Sequence, residues 1–67
     1  MSVAKVSEIT AESTEGFEAA IREGIARATK TLKNVQNVWI KDQEIQIKDD
    51  KPRAYRVTMK VTFVLND

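Results

Sequence analysis

The last strand-like segment of this chain alternates between apolar and polar residues with unusual regularity. Between residues 55 and 65 every odd position is apolar or aromatic, and every even position except Val64 is polar. Because successive side chains of a strand point to opposite faces, this pattern predicts a β-strand with two different faces. We expect the odd face to pack on a helix. The even face, called the far face below, should contact water, another subunit or a ligand through Arg56, Thr58, Lys60 and Thr62.

A strand and a helix are predicted upstream. Residues 3–9 form a strand whose inward face the alternation leaves undecided. Ser13 is the expected N-cap of a helix of about 20 residues, with Glu15 in its first turn and Asn34 as its C-terminal stop. Gly24 inside the helix indicates tight packing against a sheet. The packed stripe has apolar residues three and four apart, and consists of Phe17, Ile21, Ile25, Ala28 and Leu32.

The second strand, residues 38–48, contains a break in its pattern. Val38 and Ile40 share one parity, whereas Ile45 and Ile47 share the other. Since the strand period is two, this switch predicts a β-bulge between residues 41 and 44. Residues 49–52 are the expected turn into the last strand.

The predicted fold class is therefore α+β. It is a single domain, residues 1–67, with the order β-α-β-β. Three antiparallel strands, the last one central, pack on one long helix that runs along the full length of the sheet. A chain of 67 residues can bury only a small core. Without cysteine it has no disulfide, and without histidine it lacks the commonest metal ligand, so neither of these supports compensates for the small core. We therefore expect a homo-oligomer.

Composition and motifs argue against several classes of function. Eleven basic and ten acidic residues give a net charge of +1, which is too balanced for nucleic-acid binding through phosphates. No apolar run is long enough to span a membrane, and the first residues do not resemble a signal peptide, so we expect a soluble cytoplasmic protein. No catalytic motif or metal-ligand cluster is present, and we expect neither an enzyme nor a metal site within the chain.

One helix covers one face of a sheet, which leaves the far face open. Asn37, Trp39 and Lys41 should lie there beside Arg56 and Lys60. A large aromatic residue on such a face marks an interface or a ligand platform, and we favour subunit packing over ligand stacking. For the cations of Arg56 and Lys60, either ion pairing or capture of an anionic ligand is open.

Three segments of the chain resemble the dodecins. Residues 21–32 (IREGIARATKTL) resemble the helix of that family, residues 55–63 (YRVTMKVTF) its last strand, and residues 5–9 (KVSEI) its lead-in. The resemblance implies a β-α-β-β subunit that assembles into a hollow, dodecameric shell of cubic symmetry. Many dodecins bind riboflavin-type flavins between paired subunits and are thought to store or sequester them. Some are reported with coenzyme A or metal ions.

The chain departs from the flavin-binding dodecins at the flavin site. Asn37 stands where they have the tryptophan that stacks on the ring, and Arg56 where they have the glutamine that hydrogen-bonds the ring. Glu44, Ile45 and Gln46 replace a run resembling Arg-Gly-His. The chain thus resembles the branch that lacks the Trp/Gln pair. Trp39 is the nearest aromatic residue, about 7 Å along the strand from Asn37.

These observations predict a homododecameric, dodecin-like shell that binds, stores or sequesters a small molecule. The candidate ligand-binding residues are Asn37, Trp39 and Arg56, and we expect riboflavin or FMN to bind weakly or not at all. The alternative is a flavin-less assembly that is structural or binds ions such as calcium.

Overall fold

The computed structural model describes residues 2–65. It consists of β1 (Val3–Ser13), α1 (Phe17–Thr31), β2 (Val35–Lys48) and β3 (Lys51–Leu65). The strands form one sheet in the order β1-β3-β2, and β3 is antiparallel to both neighbours. This arrangement confirms the predicted β-α-β-β fold with the last strand in the centre.

The odd face of β3 forms the core, as the alternation predicts. Val57, Met59 and Val61 are fully buried. The helix meets them with Ala20, Gly24 and Ala28, which are its buried residues. Side chains this small, four residues apart on one helix face, let the backbone of α1 approach the sheet closely.

Gly24 lies at the tightest point of this contact. A Cβ atom at this position would overlap Cε of Met59 and stand 3.2 Å from Cβ of Ala11. The absence of a side chain therefore makes room for Met59, the largest fully buried side chain. This confirms that Gly24 serves tight packing.

The packed stripe of the helix differs in part from the prediction. Ile25 is 37% exposed instead of packed on the sheet, because the buried line runs through Ala20, Gly24 and Ala28. Phe17 and Ile21 are half-buried beside this line. The Phe17 ring stands edge-on to the Tyr55 ring of β3, with centroids 5.2 Å apart.

The predicted start and length of the helix are wrong. The first helical residue is Phe17, the N-cap is Gly16, and no side chain caps the helix. Ser13 instead ends β1, where its Oγ accepts a hydrogen bond from the Glu15 N–H at 3.0 Å. The predicted first-turn acid, Glu15, therefore precedes the helix.

The C-terminal end of the helix also differs from the prediction. The C-cap is Leu32, whose N–H donates to the carbonyl of Ala28 at 2.8 Å. Asn34 lies two residues further on and adopts a left-handed conformation with φ of 60°. The predicted stop residue therefore turns the chain toward β2 instead of ending the helix.

The strands are longer than predicted, so the helix does not run along the whole sheet. The helix has 15 residues, about 22 Å, whereas the molecule is 51 Å long. β1 continues to Ser13 instead of residue 9, β2 begins at Val35, and β3 begins at Lys51. The tip of the β2–β3 hairpin extends past the helix, and Ile45 and Ile47 there are 43% and 61% exposed.

The predicted bulge in β2 is present. Ile40 pairs with Met59 and Asp42 pairs with Thr58, so Lys41 is the extra residue. After it, Ile45 returns to the face of Tyr55, as the parity switch requires. The turn is tighter than predicted, because only Asp49 and Asp50 connect the paired Lys48 and Lys51. Both aspartates have positive φ, 52° and 63°, as in two-residue hairpin turns.

Replacing Gly24 by alanine should lower the free energy of unfolding. Alanine favours a helix by about 1 kcal/mol over glycine, but overpacking a close contact costs about 1–3 kcal/mol. The overpacking should dominate, because Met59 is fully buried and has little room to move away from the added methyl group. Denaturant titration at fixed protein concentration measures the balance. The control is Ala26→Gly at an exposed helix position, which should cost only the helix propensity. A gain of about 1 kcal/mol for Gly24→Ala would show that the contact is loose.

Candidate functional site

The far face of the sheet consists of cross-strand rows of side chains. Residues directly opposite each other in antiparallel strands point to the same face, so the even residues of β3 fix these rows. Each row contains one residue from β1, one from β3 and one from β2. In order along the sheet the rows are Val6–Thr62–Asn37, Glu8–Lys60–Trp39, Thr10–Thr58–Asp42 and Glu12–Arg56–Glu44.

Arg56 is bound by carboxylates from both neighbouring strands. Its Nε and Nη2 donate to Oε1 of Glu12 at 3.1 and 2.9 Å, and its Nη1 donates to Oε1 of Glu44 at 3.2 Å. With its amide oxygen turned toward the guanidinium, Gln46 also accepts from Nη2 and Nη1 at 2.9 and 3.0 Å. A planar fork of donors suits such a set of acceptors on both sides.

The pKa of Arg56 is raised above its ordinary value. The largest cause is the hydrogen bond to Glu12, which outweighs the desolvation that lowers the pKa, and the charges of Glu12 and Glu44 and the hydrogen bond to Glu44 also raise the pKa. Arg56 is therefore a permanent cation. Its donors are directed at acids of its own chain, and the row as a whole carries one more negative than positive charge.

Trp39 lies in the open on the same face. Its side chain is 68% exposed, and the Lys60 ammonium lies 5.5 Å from the centroid of its ring, within cation–π distance. Beside them, Nζ of Lys41 reaches across the sheet to Oε1 of Glu8 at 3.3 Å. This end of the far face is thus an aromatic surface with an excess of positive charge.

The structure brings two of the three predicted site residues together. Asn37 and Trp39 lie on β2 in adjacent rows, and both are exposed. Arg56 is four residues from Lys60 along β3, which places its row about 13 Å from the row of Trp39. Within one subunit the three residues therefore share a face but do not form one pocket.

Sequence reasoning did not identify Glu12 and Glu44 as the partners of Arg56. The first strand was expected to end at residue 9 and Ser13 to cap the helix, so Glu12 was not placed in a strand. With β1 extended to Ser13, Glu12 pairs directly with Arg56. Glu44 was named only as part of the run that differs from flavin-binding dodecins. Its contact with Arg56 depends on the bulge at Lys41, which sets the register of the following residues.

A second concave surface lies on the other side of the sheet. It is a groove of about 670 Å³ between α1 and the outer edge of β1, with Ile9, Ala11 and Gly24 at its base and Glu23, Arg27 and Lys30 at its rim. Within residues 2–65 no three Asp or Glu side chains cluster as metal ligands would. The one helix of this part of the chain is too short and too polar to cross a membrane.

The fold and this open, polar sheet face define a small β-α-β-β subunit of a known class. The chain matches the Dodecin family over residues 3–66. The dodecin of Thermus thermophilus is 37% identical over an alignment of 67 residues. The alignment covers 97% of this chain and 94% of the relative. The chain therefore belongs to the dodecin family.

Solved structures agree with this assignment. Dodecin from Streptomyces davaonensis superposes with a TM-score of 0.91 at 36% identity, covering 98% of this chain and 97% of that chain. A single-site variant of the Thermus thermophilus protein gives 0.93 at 34% identity and covers both chains fully. Calcium dodecin from Mycobacterium tuberculosis, described as calcium chelating, gives 0.84 at 23% identity over 96% and 91% of the chains, which shows the fold alone.

Replacing Arg56 by glutamine should destabilise the sheet, because Glu12 and Glu44 then lose the cation between them. The loss should be larger at low ionic strength than in 1 M salt, where the Debye length is about 3 Å. Denaturant titration at both salt concentrations measures it. Adding Glu12→Gln and Glu44→Gln should recover part of the loss.

The matched control is Arg22→Gln, which removes an arginine from an exposed pair with Glu18 on the helix. This variant should change stability less than Arg56→Gln does. Equal losses in both variants, or a loss at Arg56 that salt leaves unchanged, would argue that the Arg56 row does not act as a cross-strand ion-pair network.

Proposed function

We propose that the protein is a dodecin-type homo-oligomer, a closed dodecamer, whose far face binds and stores a small molecule. The observation that carries this proposal is the position of Trp39. No other element of residues 2–65 covers its face of the sheet, and its indole is 68% exposed in the single chain. A large aromatic surface left in water favours a second subunit or a planar ligand as its cover.

The distribution of apolar residues supports the assembly. The fully buried side chains of β3 and the small residues of α1 make a core that is modest even for 67 residues. Large apolar side chains stay exposed at both ends of the sheet, as with Val3 and Leu65 at one end and Ile47 at the other. A chain this short gains stability mainly from partners when disulfides and metals are absent.

The far face favours a planar ligand with an anionic group at the Trp39 end. Trp39 offers a stacking surface, Lys60 supplies a cation over its ring, and Asn37 in the adjacent row offers a donor and an acceptor. The Arg56 donors are directed at Glu12 and Glu44, which disfavours capture of an anion at that row.

Riboflavin fits these residues poorly. Asn37 provides little aromatic surface, and losing a stacking face costs about 0.5–1.5 kcal/mol. Arginine donates hydrogen bonds but cannot accept them, so the N–H edge of a flavin ring finds no acceptor at Arg56, at a cost of about 1–3 kcal/mol. Together these losses correspond to roughly one to three decades in affinity.

The second candidate function is an assembly without flavin that is structural or binds ions. The ion-pair row of Glu12, Arg56 and Glu44 favours it, because its polar groups already have partners within the chain. An ion such as calcium would require carboxylates from more than one subunit, since residues 2–65 of one subunit contain no cluster of three acids.

Trp39→Ala should weaken the assembly before it weakens the subunit fold. If Trp39 is buried between subunits, truncation costs about 3 kcal/mol or more per site. Light scattering coupled to size exclusion should give about twelve times the 7.6 kDa subunit mass for the unmodified protein and smaller species for the variant upon dilution. An unmodified protein that runs as a monomer or dimer would disprove the assembly. Ile25→Ala, at a partly exposed helix position, is the control for loss of an apolar side chain elsewhere.

Riboflavin should bind weakly or not at all, as measured by titration of its fluorescence against the purified oligomer. The double variant Asn37→Trp/Arg56→Gln should bind more tightly, because it restores a stacking face and an acceptor. Lys33→Gln, an exposed change outside the sheet, is the control and should leave the affinity unchanged. Sub-micromolar quenching by the unmodified protein would show that Trp39 itself stacks on the flavin and that the chain is an ordinary flavin-binding member of its family.

A further inference from the structure

The groove between α1 and β1 is not covered by any element of residues 2–65. Its base is apolar, with Ile9, Ala11 and Gly24, and its rim carries Arg27 and Lys30. At about 670 Å³ it would otherwise hold roughly 20 water molecules. β1 is also an edge strand of the sheet. An apolar groove beside an open sheet edge is a surface on which another protein element can dock.

The tip of the β2–β3 hairpin, residues 47–52, is a surface of the opposite shape. It projects past the helix, and Ile47 there is 61% exposed. Asp49 and Asp50 form its apex, and their positive φ angles place them in a two-residue turn. The tip is therefore a narrow projection with an exposed apolar side chain and two adjacent negative charges.

The groove and the tip are complementary in charge. Arg27 and Lys30 are three residues apart on α1, so their side chains lie on the same side of the helix. Asp49 and Asp50 follow each other at the apex of the turn. None of these four charges forms an ion pair with another residue of the described part of the chain. An apex seated between Arg27 and Lys30 pairs charges that are otherwise left to water.

Burial of Ile47 adds an apolar contact to these ion pairs. With the apex at the rim, Ile47 is two residues away and faces the apolar base of the groove. Exposed ion pairs contribute little to affinity, so the burial of Ile47 provides most of it, and the charges orient the tip. Glu23, the acid of the rim, then has Lys48 and Lys51 beside the apex as cations to pair with.

The tip cannot occupy the groove of its own chain. Ala11, at the base of the groove, pairs with Val57 of β3. Lys51 precedes Val57 by six residues on the same strand, a distance of about 20 Å. A tip and a groove that complement each other but lie this far apart can meet only between two copies of the chain.

We propose that the hairpin tip of one subunit docks in the groove between α1 and β1 of a second copy, with its two aspartates at Arg27 and Lys30. This inference rests on the proposed homo-oligomer and adds to it one contact, which is separate from the far face. The contact is heterologous, because each subunit gives a tip and receives one on a different surface. Contacts of this kind run head to tail and close into a ring.

Cross-linking tests the contact directly, because the chain has no cysteine. Ala26→Cys places a thiol at the groove, and Lys51→Cys places one beside the apex. Both changes keep the four charges and Ile47. A short bismaleimide should link the double variant into covalent species larger than a dimer on a denaturing gel. Each single variant can form a dimer at most.

The matched control for cross-linking is Ala26→Cys/Lys33→Cys. It has the same number of thiols, with the second one at an exposed position outside the tip. This variant should form no covalent species larger than a dimer. Light scattering before the cross-linker is added gives the mass of each variant, and circular dichroism checks that each is folded.

Ile47→Ser gives a second, independent measurement. Loss of a buried isoleucine should raise the protein concentration at which the oligomer dissociates by roughly ten- to a hundredfold. Ile25→Ser, at a partly exposed helix position that does not line the groove, is the control and should leave this concentration unchanged. Ile47→Ser also decides the question if the double cysteine variant does not assemble.

The outcomes separate this contact from the assembly itself. Covalent species larger than a dimer in the Ala26→Cys/Lys51→Cys variant alone, with easier dissociation of Ile47→Ser, support the docking of the tip. An oligomer that gives no such species, or that Ile47→Ser leaves as stable as before, overturns it while the homo-oligomer stands. An unmodified protein that is already monomeric overturns both.

Discussion

One helix covers one face of a three-stranded sheet, and the rest of this structure follows from that constraint. The odd face of β3 packs against Ala20, Gly24 and Ala28, where the missing side chain of Gly24 admits Met59. The opposite face has no such cover from residues 2–65. The central strand therefore has two environments, a dry one that holds the subunit together and an open one that is available for function.

On the open face, the charge of Arg56 is paired with acids of the same chain instead of being free for a ligand. Arg56 is bound from both sides by Glu12 and Glu44, so two of the positions at which we expected the chain to differ from flavin-binding dodecins contact each other. Nη1 of Arg56 donates to Glu44 at 3.2 Å. Arg56 and Glu44 thus belong to one ion-pair row that runs across the three strands.

Most of the fold was predictable from the sequence, and most of the errors lay at the ends of its elements. The alternation of residues 55–65 gave the faces of β3, and the parity switch between Ile40 and Ile45 gave the bulge at Lys41. The helix start was wrong because Ser13 satisfies N-cap preferences equally well at the end of a strand, where it accepts from Glu15. Helix periodicity also placed Ile25 in the stripe, whereas close approach of the sheet requires the small residues.

The candidate site was predictable as a face but not as a set of contacts. The alternation of side chains along each strand placed Asn37, Trp39 and Arg56 on the far face. This alternation can be read from one strand alone, without knowing which strands lie beside it. The partners of Arg56 depend on the register of three strands and on the true end of β1, which no local pattern specifies. The distance between the Trp39 row and the Arg56 row followed only once that register was known.

The most direct measurement is acrylamide quenching of the fluorescence of the intact oligomer, because Trp39 is the one tryptophan of the chain. If another subunit covers the far face, Trp39 should be shielded from acrylamide and should emit at shorter wavelength than free indole. Dilution or Trp39-row variants that dissociate the oligomer should remove both effects. An intact oligomer in which Trp39 is quenched as readily as free tryptophan would contradict the claim that the open face is an interface.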